Sequence, residues 1–425
     1  MSFYVGAATR DITPDPGAPM WGYTERQGAA SGTLDPLYAK AVVFRAGGKA
    51  VAIMSLDLGR VPLEDVCNRI RQRALARGVD YVFFAATHTH HAPVMEIPDA
   101  PYMPRIESGI GDAIEEAVDR VEPARIGVVR TLIDIAHNRR KLLDDGRCFM
   151  LWRNEERVPT APVDHEAAII KVTNLKGKPL VTLVHFACHP VVMGQSNYAY
   201  SADYAGEMTR RVREQTRAEC VFLQGACGNI NPYLDKTQID DGAVEAMRGV
   251  GRECADAVLA AYSAIVTQMP ETPSVAFIEK QVLVGTRWDL SDAASLEALR
   301  EAHGPMFDIY IGAVDSGLAV PLSVVVINGN LALVGMPGEI FVQYQQALKE
   351  GSPLRDSFLC GYANGYYAYF PTVRDAVAGG YGGTMASFVG LGAGDKLLLE
   401  AEIEIARLSG KARETCSRDD FALLE

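Results

Sequence analysis

Long runs of lysine and arginine are missing from this chain of 425 residues, and its formal net charge is −12. A surface that follows the phosphates of a nucleic acid needs clustered basic side chains, so we expect no nucleic-acid partner. Uninterrupted apolar runs are missing as well. A membrane-spanning helix needs about 20 predominantly apolar residues, so we expect no membrane span.

Features of exported and multidomain proteins are also scarce. The eight cysteines include no CxxC pair, which predicts free buried thiols, and Cys188 and Cys227 lie next to candidate site residues. The sequence begins MSFYVGAATRDITPDP, without a charged leader or an apolar segment, and we expect a cytoplasmic protein. No repeat, low-complexity tract or linker marks a boundary, so we predict a single metallohydrolase catalytic domain over residues 1–425.

The sequence does contain a regular alternation of helical and β-rich segments. Helical apolar spacing predicts helices at 61–77, 105–121, 203–217 and 242–266, from about 340, and at 394–410. Apolar β-rich runs predict a hairpin at 39–58 and strands at 81–86, 125–129, 166–173, 179–187, 220–224, 322–328, 331–336 and 357–362. Because several strand pairs are hairpin-linked, the predicted fold class is α/β, with mixed β-sheets flanked by helices.

Five of the predicted strands run into polar turns punctuated by glycine or proline. The turns are THTHHAP (87–93), HFACHPVVMG (185–194), QGACGNINPY (224–233), GMPGEIF (335–341) and GYANGYYAYFPT (361–372). Ligands and catalytic groups of open α/β sheets lie at the carboxyl ends of strands. Five such turns predict one shared cleft.

Three of the eight histidines lie within four residues, directly behind an apolar strand. The alternation of an extended chain puts His88 and His90 on one face and His91 on the other. Two neighbouring imidazoles suit a metal ion, or one ligand and one proton carrier, whereas a single strand-end histidine is more often a hydrogen-bonded structural group. An HxH pair alone is a weak metal signal. We assign His91 the structural role.

Further candidate ligands follow two other strands. His189 lies in CHP, where a strand turns out of the sheet, whereas His185 lies within that strand and is expected in the core. Glu339 precedes a predicted helix, where it could equally stabilise the helix N-terminus. Two histidines and a carboxylate with an open position are the composition of hydrolytic zinc sites. Residue chemistry leaves open which tyrosine of the last turn takes part: Tyr362, Tyr366, Tyr367 or Tyr369.

An ordered set of motifs extends over roughly residues 4–390. It comprises VGAATRDITP, SLDLG, ATHTHHAP, HNRRK, HFACHP, SADYAGEM, GACGNINP, PGEIF and YANGYYAY. In this order the motifs resemble those of the catalytic domain of the neutral/alkaline ceramidases. The resemblance implies a ceramidase-type catalytic domain and a zinc amidase with one Zn²⁺ per chain.

The resemblance also implies roles for individual residues. The first histidine of THTH, the histidine of HP, the glutamate of PGE and the last tyrosine of N-x-Y-x-x-Y match metal ligands: His88, His189, Glu339 and Tyr369. The second histidine of THTH, the arginine of NRR and the tyrosine of GGYGG match polar groups that face the scissile carbonyl, which makes the catalytic set His90, Arg139 and Tyr381. We expect Asn138 and Asn231 to orient the substrate.

Two departures from the family pattern bear on the substrate. Ceramidases carry a serine in a GDxSP turn, proposed to be the nucleophile or to assist the attack, where this chain has Asn231 in GNINP. The sequence also ends soon after the catalytic region, and we expect no counterpart of the further C-terminal β-domain of that family. These departures favour a small substrate over a lipid.

Three functions are therefore weighed. The first is zinc-dependent hydrolysis of an amide bond (C–N, N-acyl or lactam) in a small substrate by metal-activated water, with His90 carrying a proton to the leaving group. The second is a zinc-dependent esterase or lactonase acting on a small polar or sugar-derived substrate, and the third a non-catalytic binding protein that keeps the fold. A homo-oligomer is compatible with the sequence. Residues 287–317 are interpreted as a lid or substrate wall, or as variable surface.

Overall fold

The computed structural model describes residues 2–303, 317–384 and 386–413. The helices are α1 (Glu64–Ala76), α2 (Met103–Asp119), α3 (Asp203–Thr216), α4 (Ala243–Tyr262), α5 (Ala293–His303), α6 (Val342–Gly351), α7 (Val373–Ala378) and α8 (Ala393–Leu408). The longer strands are β1 (Tyr4–Asp11), β3 (Tyr38–Ala46), β4 (Lys49–Leu56), β5 (Tyr81–Ala86), β6 (Glu122–Leu132), β10 (Glu166–Asn174), β11 (Pro179–Phe186), β13 (Glu219–Gln224), β15 (Val275–Leu283), β16 (Ala319–Ile327), β17 (Leu331–Gly335) and β19 (Asp356–Cys360). The short strands are β2 (Gly32–Thr33), β7 (Ala136–Asn138), β8 (Arg140–Leu142), β9 (Cys148–Met150), β12 (Ala199–Tyr200), β14 (Ile230–Pro232), β18 (Glu339–Ile340) and β20 (Tyr369–Phe370).

Two mixed β-sheets form the centre of the fold. The larger has eight strands in the order β13-β11-β10-β6-β1-β3-β4-β5, with parallel pairing at both of its ends and antiparallel pairing between. The smaller has four strands in the order β15-β16-β17-β19, and only its β17–β19 pair is parallel. The prediction of an α/β fold with mixed sheets flanked by helices is confirmed.

Side chains of successive strand residues enter two different cores. In β4, Val51 and Ile53 pack into an inner core together with Leu333 and Phe358 of the smaller sheet. The alternating residues Ala52 and Met54 belong instead to the outer core, which also contains the buried faces of the helices. The two-residue period of a strand thus lets one strand contact the second sheet and the helices at once.

The larger sheet curves so strongly that strands near its two ends touch. The Ser55 hydroxyl of β4 donates a hydrogen bond to the Phe222 carbonyl of β13 at 2.6 Å, although five strands lie between β13 and β4 in the sheet order. The turn after β19 lies at this junction, because Gly361 N donates to Gln224 O at 3.1 Å and Ala86 N to Tyr362 O at 3.2 Å. The polar turns after β5, β13 and β19 therefore meet at one place.

Most predicted elements are present with small shifts at their ends. Strand 81–86 has the predicted bounds, and the 39–58 hairpin is β3 and β4. Strand β15 was not predicted, because it carries the half-exposed run Glu279–Gln281 that interrupts its apolar pattern. Of the region 287–317, residues 304–316 lie outside the described residues, and its beginning contains α5.

The described cysteines are free thiols: Cys67, Cys148, Cys188, Cys220, Cys227, Cys254 and Cys360. The prediction for Cys416 falls outside the described residues. In the part of the chain that the structure describes, no helix has both the length and the apolar character needed to cross a membrane.

Candidate metal and active site

His88 lies two residues after the end of β5, with its ring held in one orientation. Its backbone adopts a φ of +69°, its ring stacks on Tyr362 with centroids 3.8 Å apart, and it is fully buried. Nδ1 lies 2.7 Å from the Gly59 carbonyl oxygen. A carbonyl only accepts, so Nδ1 carries the proton and Nε2 is left with a free lone pair.

His189, after β11, is oriented in the same way. Its Nδ1 donates to the Ile230 carbonyl at 3.0 Å, and burial lowers the pKa of the ring to about 4, so the imidazole is neutral at pH 7. Its Nε2 lone pair lies 3.0 Å from Oε2 of Glu339. Two acceptors at this distance repel each other unless a cation or proton lies between them.

Glu339 lies in β18, opposite Tyr369 of β20, three residues before α6 begins. Burial by itself would raise the pKa of its carboxyl, but the neighbouring His88 and His189 hold that pKa well below its usual value. Oε1 accepts a hydrogen bond from the Tyr366 hydroxyl at 2.7 Å, which leaves Oε2 facing the histidines. The buried carboxylate is therefore ionised.

His90 lies beside these groups but is partly exposed. Its Nε2 is 3.4 Å from Nε2 of His88, as the predicted shared face requires. Its buried Nδ1 has no hydrogen-bond partner among the described residues. Burial, and then the neighbouring His88 and His189, lower the pKa of His90 well below its usual value, so this ring is also neutral.

The donor set fits a zinc ion. Ring nitrogens of His88, His90 and His189 all lie within 4.8 Å of one another. The Oε2 atom of Glu339 lies 3.0 Å from His189 Nε2 and 3.6 Å from His88 Nε2. Ligand atoms around a tetrahedral zinc ion at about 2.0–2.1 Å are roughly 3.4 Å apart, and imidazole nitrogen and carboxylate oxygen are common zinc ligands. The structure offers His90 as an alternative ligand to Tyr369.

A loop near the N-terminus positions His90. The ring lies edge-on between Trp21 and Tyr23, with centroids 5.2 and 4.8 Å away, and Arg26 donates to the His90 carbonyl at 2.8 Å. Gly22 lies directly against the imidazole, where a Cβ atom would be 2.4 Å from His90 Cγ. Sequence reasoning missed this loop because its contacts with His90 span more than sixty positions of the chain.

Gly22→Ala is expected to displace His90 and reduce turnover. Gly22 has a φ of +105°, so alanine adds backbone strain to the clash, and together these should lower the free energy of unfolding by about 1–3 kcal/mol. Gly17→Ala is the matched control. Gly17 has a similar φ of +111°, but a Cβ atom added there would meet no other atom within 4 Å. Urea unfolding and kcat measure both variants. Equal kcat in the two would show that the contact with His90 has no effect on turnover.

Arg139 lies next to the candidate ligands and, with Tyr369 and Tyr381, forms one side of the site, which we call the Arg139 wall. Its NH2 group donates to the Tyr369 hydroxyl at 3.0 Å and to the Gly228 carbonyl at 2.6 Å, and its NH1 group donates to Asn231 Oδ1 at 3.1 Å. Asn231 in turn donates through Nδ2 to Asp235 at 2.8 Å. The turn GNINP thus holds the guanidinium against the tyrosine.

The other two predicted site residues differ in their surroundings. Tyr381 lies beside Tyr369, with ring centroids 5.3 Å apart, and the Arg139 guanidinium lies 5.5 Å from its centroid, so it belongs to the same wall. Both polar atoms of the Asn138 side chain bond the backbone, since Nδ2 donates to Pro162 O at 2.9 Å and Oδ1 accepts from Arg140 N at 2.9 Å. The role of Asn138 in substrate binding stays a prediction.

Two histidines have structural partners. Nε2 of His185 lies 2.7 Å from the Leu359 carbonyl, inside the core. Nε2 of His91 lies 3.1 Å from the Met193 carbonyl, and its Nδ1 lies 3.0 Å from the Arg26 guanidinium. Sequence reasoning did not resolve Tyr362 and Tyr366, which contact His88 and Glu339; the clustering of tyrosines in one turn was the available signal.

A separate cavity of about 980 Å³ lies between α3, α4 and the first strands. It is lined by charged side chains such as Arg210, which pairs with Glu207 and Glu214. None of the predicted site residues lines it, so it is distinct from the histidine site.

A family model for neutral/alkaline non-lysosomal ceramidase, N-terminal, matches residues 3–243, which is more than half of the chain. The chain belongs to this ceramidase family. Family membership supports a hydrolase, and the buried histidine group is compatible with a metal site.

Solved ceramidases share the fold. The neutral ceramidase from Pseudomonas aeruginosa superposes with a TM-score of 0.76 at 19% sequence identity, over 98% of this chain and 76% of that chain. A ceramidase complexed with C2 gives a TM-score of 0.75 at 19% identity, over 98% and 77% of the two chains. At this identity the similarity establishes the ceramidase-type α/β fold.

Proposed function

We propose that this chain is a zinc-dependent hydrolase that cleaves the amide bond of a small substrate. The observation that carries the proposal is the convergence of the His88 and His189 Nε2 lone pairs on the ionised carboxylate of Glu339. A metal cation between these three buried acceptors would remove their mutual repulsion. Tyr369, opposite Glu339 and hydrogen-bonded to Arg139, is proposed as the fourth ligand, with about one Zn²⁺ per chain.

Bound zinc would supply Lewis-acid chemistry, polarising the substrate carbonyl and lowering the pKa of water. The reaction forms a bond between the carbonyl carbon and the oxygen of water, and breaks the C–N bond. The neutral imidazole of His90 accepts a proton from the attacking water and delivers it to the leaving nitrogen.

The Arg139 wall stabilises negative charge on the carbonyl oxygen. Arg139 is 4% exposed, and in so dry a site a positioned donor can contribute about 3 kcal/mol to transition-state stabilisation. The guanidinium donates to the Tyr369 hydroxyl and faces the ring of Tyr381, so the positive charge and both phenols lie on one side of the site.

The hydrogen bonds of the Asn231 side chain support direct attack by water. Its Oδ1 accepts a hydrogen bond from Arg139 and its Nδ2 donates one to Asp235, so the side chain holds the Arg139 guanidinium in place. An amide is not a nucleophile, and this turn supplies no hydroxyl at that position. Water attack suits amides and esters alike, which keeps a zinc-dependent esterase or lactonase as the second candidate.

The test is a parallel panel of N-acyl amines, lactams, lactones and esters, assayed with metal-loaded and chelator-treated protein. We expect hydrolysis of N-acyl amines or lactams that is lost on chelation and restored by zinc. Faster hydrolysis of esters and lactones than of every amide would support the second candidate instead. Bound zinc without hydrolysis of any compound would support a binding protein.

Three further properties are proposed from the sequence alone. They are a single catalytic domain over residues 1–425, a cytoplasmic location and a small-molecule substrate as the principal partner. The oligomeric state is best measured by light scattering of the purified chain.

A further inference from the structure

We infer that the amide substrate carries a carboxylate, and that Lys236 binds it at the outer end of the Arg139 wall. The inference rests on the proposed hydrolase function and adds a substrate class to it. Lys236 was not among the residues that the sequence pointed to.

The wall is buried at the candidate metal ligands and open to solvent at Tyr381, which is 37% exposed, and at Lys236. Glu339 is 3% exposed, and Tyr369 and Arg139 are each 4% exposed. The Arg139 guanidinium lies 5.1 Å from the centroid of the half-buried Trp152 ring. The far end of the wall is open, since the Lys236 side chain is 32% exposed. Lys236 is thus a cationic group at the solvent-exposed end of the wall.

Two cations share the Trp152 ring. The Lys236 ammonium lies 3.9 Å from its centroid, and the Arg139 guanidinium lies 5.1 Å from it. The carboxylate that pairs with Lys236, Asp235, lies 3.2 Å from the ammonium, but its side chain is 0% exposed. Solvent and substrate can therefore reach the Lys236 ammonium but not its buried partner Asp235, and the accessible carboxylate that acts on this ammonium is the exposed Glu25.

The backbone fixes Lys236 relative to His189. Lys236 N donates to Val191 O and Thr237 N to Val192 O, both at 2.8 Å, and Gly194 N donates back to Thr237 O at 2.8 Å. These bonds join the Lys236 segment to the residues that directly follow His189. The Lys236 backbone thus has a set position next to the His189 segment, and Asp235 and the Trp152 ring hold its ammonium.

The number of donors favours a carboxylate over a phosphate. Both terminal nitrogens of Arg139 already donate within the chain, and its buried Nε has no hydrogen-bond partner within the described ranges. The Lys236 ammonium has three N–H donors and shares one carboxylate oxygen. One ammonium matches a carboxylate monoanion and leaves the Arg139 Nε–H for the carbonyl oxygen, whereas a phosphate dianion is usually held by more donors.

The test compares N-acylglycines with N-acylglycinamides of the same acyl chain, from acetyl to dodecanoyl. The two differ only in the carboxylate, and a charge-assisted hydrogen bond predicts a kcat/KM preference of about 10–100-fold for the acid. Lys236→Met should reduce this ratio about 10-fold or more, and Lys236→Arg should largely keep it. Lys176→Met, in the exposed turn between β10 and β11, is the control and should leave the ratio unchanged.

Binding of N-acetylglycine to chelator-treated protein gives a second readout that needs no turnover. Calorimetry should show that N-acetylglycine binds more tightly than N-acetylglycinamide, and Lys236→Met should remove this difference in affinity. Equal binding and equal kcat/KM of acid and amide, or a preference for N-acyl diamines, would overturn the inference while leaving hydrolysis intact. Selective binding without hydrolysis of any amide would instead overturn the proposed function.

Discussion

His189→Ala should lose both its metal and its turnover. The imidazole supplies a neutral Nε2 3.0 Å from Glu339 Oε2, and its Nδ1 bond to Ile230 holds the ring at that angle. In the alanine variant the buried carboxylate of Glu339 faces an empty space, and the site has one metal ligand fewer. Loss of an outer hydrogen-bond partner alone costs such sites about 10–100-fold in metal affinity or activity, and loss of a ligand should cost more. Elemental analysis and kcat measure the two effects.

The control for this variant is His165→Ala. His165 is half-buried at the start of β10, and its Nδ1 lies 3.3 Å from the Ile133 carbonyl, away from the candidate ligands. It should keep zinc and activity. If His189→Ala kept a full complement of zinc, His189 would not be a ligand and the proposed donor set would be wrong.

His90→Ala should keep its metal and lose about 10²–10⁴-fold in kcat, which is the range for a general acid–base group. Its ring is neutral and partly exposed, and its buried Nδ1 lacks a partner in the described part of the chain. These properties suit a group that exchanges protons with substrate. His88 and His189, by contrast, are fully enclosed and hydrogen-bonded through Nδ1.

The same variant decides between two assignments of the site. The His90 ring nitrogen lies within 4.8 Å of those of His88 and His189, so it could complete a three-histidine set in place of Tyr369. If His90→Ala loses its zinc while Tyr369→Phe keeps it, His90 is the ligand and the roles are exchanged. His91→Asn is a useful comparison, because that ring contacts the Met193 carbonyl instead of the site.

The sequence predicts those parts of the site that depend on local geometry. Strand alternation predicted that His88 and His90 share a face, and their Nε2 atoms do lie 3.4 Å apart, but both residues follow the end of β5 and His88 has a φ of +69°. The five polar turns were expected in one cleft, and hydrogen bonds between Gly361 and Gln224 and between Tyr362 and Ala86 join three of them. The meeting of the turns follows from the positions of the strand ends, whereas the contact between His88 and His90 depends on the turn after β5.

Contacts between distant segments could not be predicted in this way. The Asn138 amide appears in the sequence next to Arg139, but only the fold shows that it bonds Pro162 and Arg140 backbone groups. The close approach of Gly22 to His90, like the position of Lys236 over Trp152, depends on loop packing that leaves no periodic pattern. The tyrosine turn likewise needed coordinates to show that Tyr366 donates to Glu339.

The central claim is that His88, His189 and Glu339 hold a metal ion that the reaction needs. The most direct measurement is elemental analysis of protein purified without added metal, combined with an amide hydrolysis assay before and after chelation. The account predicts about one zinc ion per chain and activity that falls with the metal and returns with it. Protein that is free of metal and still hydrolyses amides at full rate would contradict it.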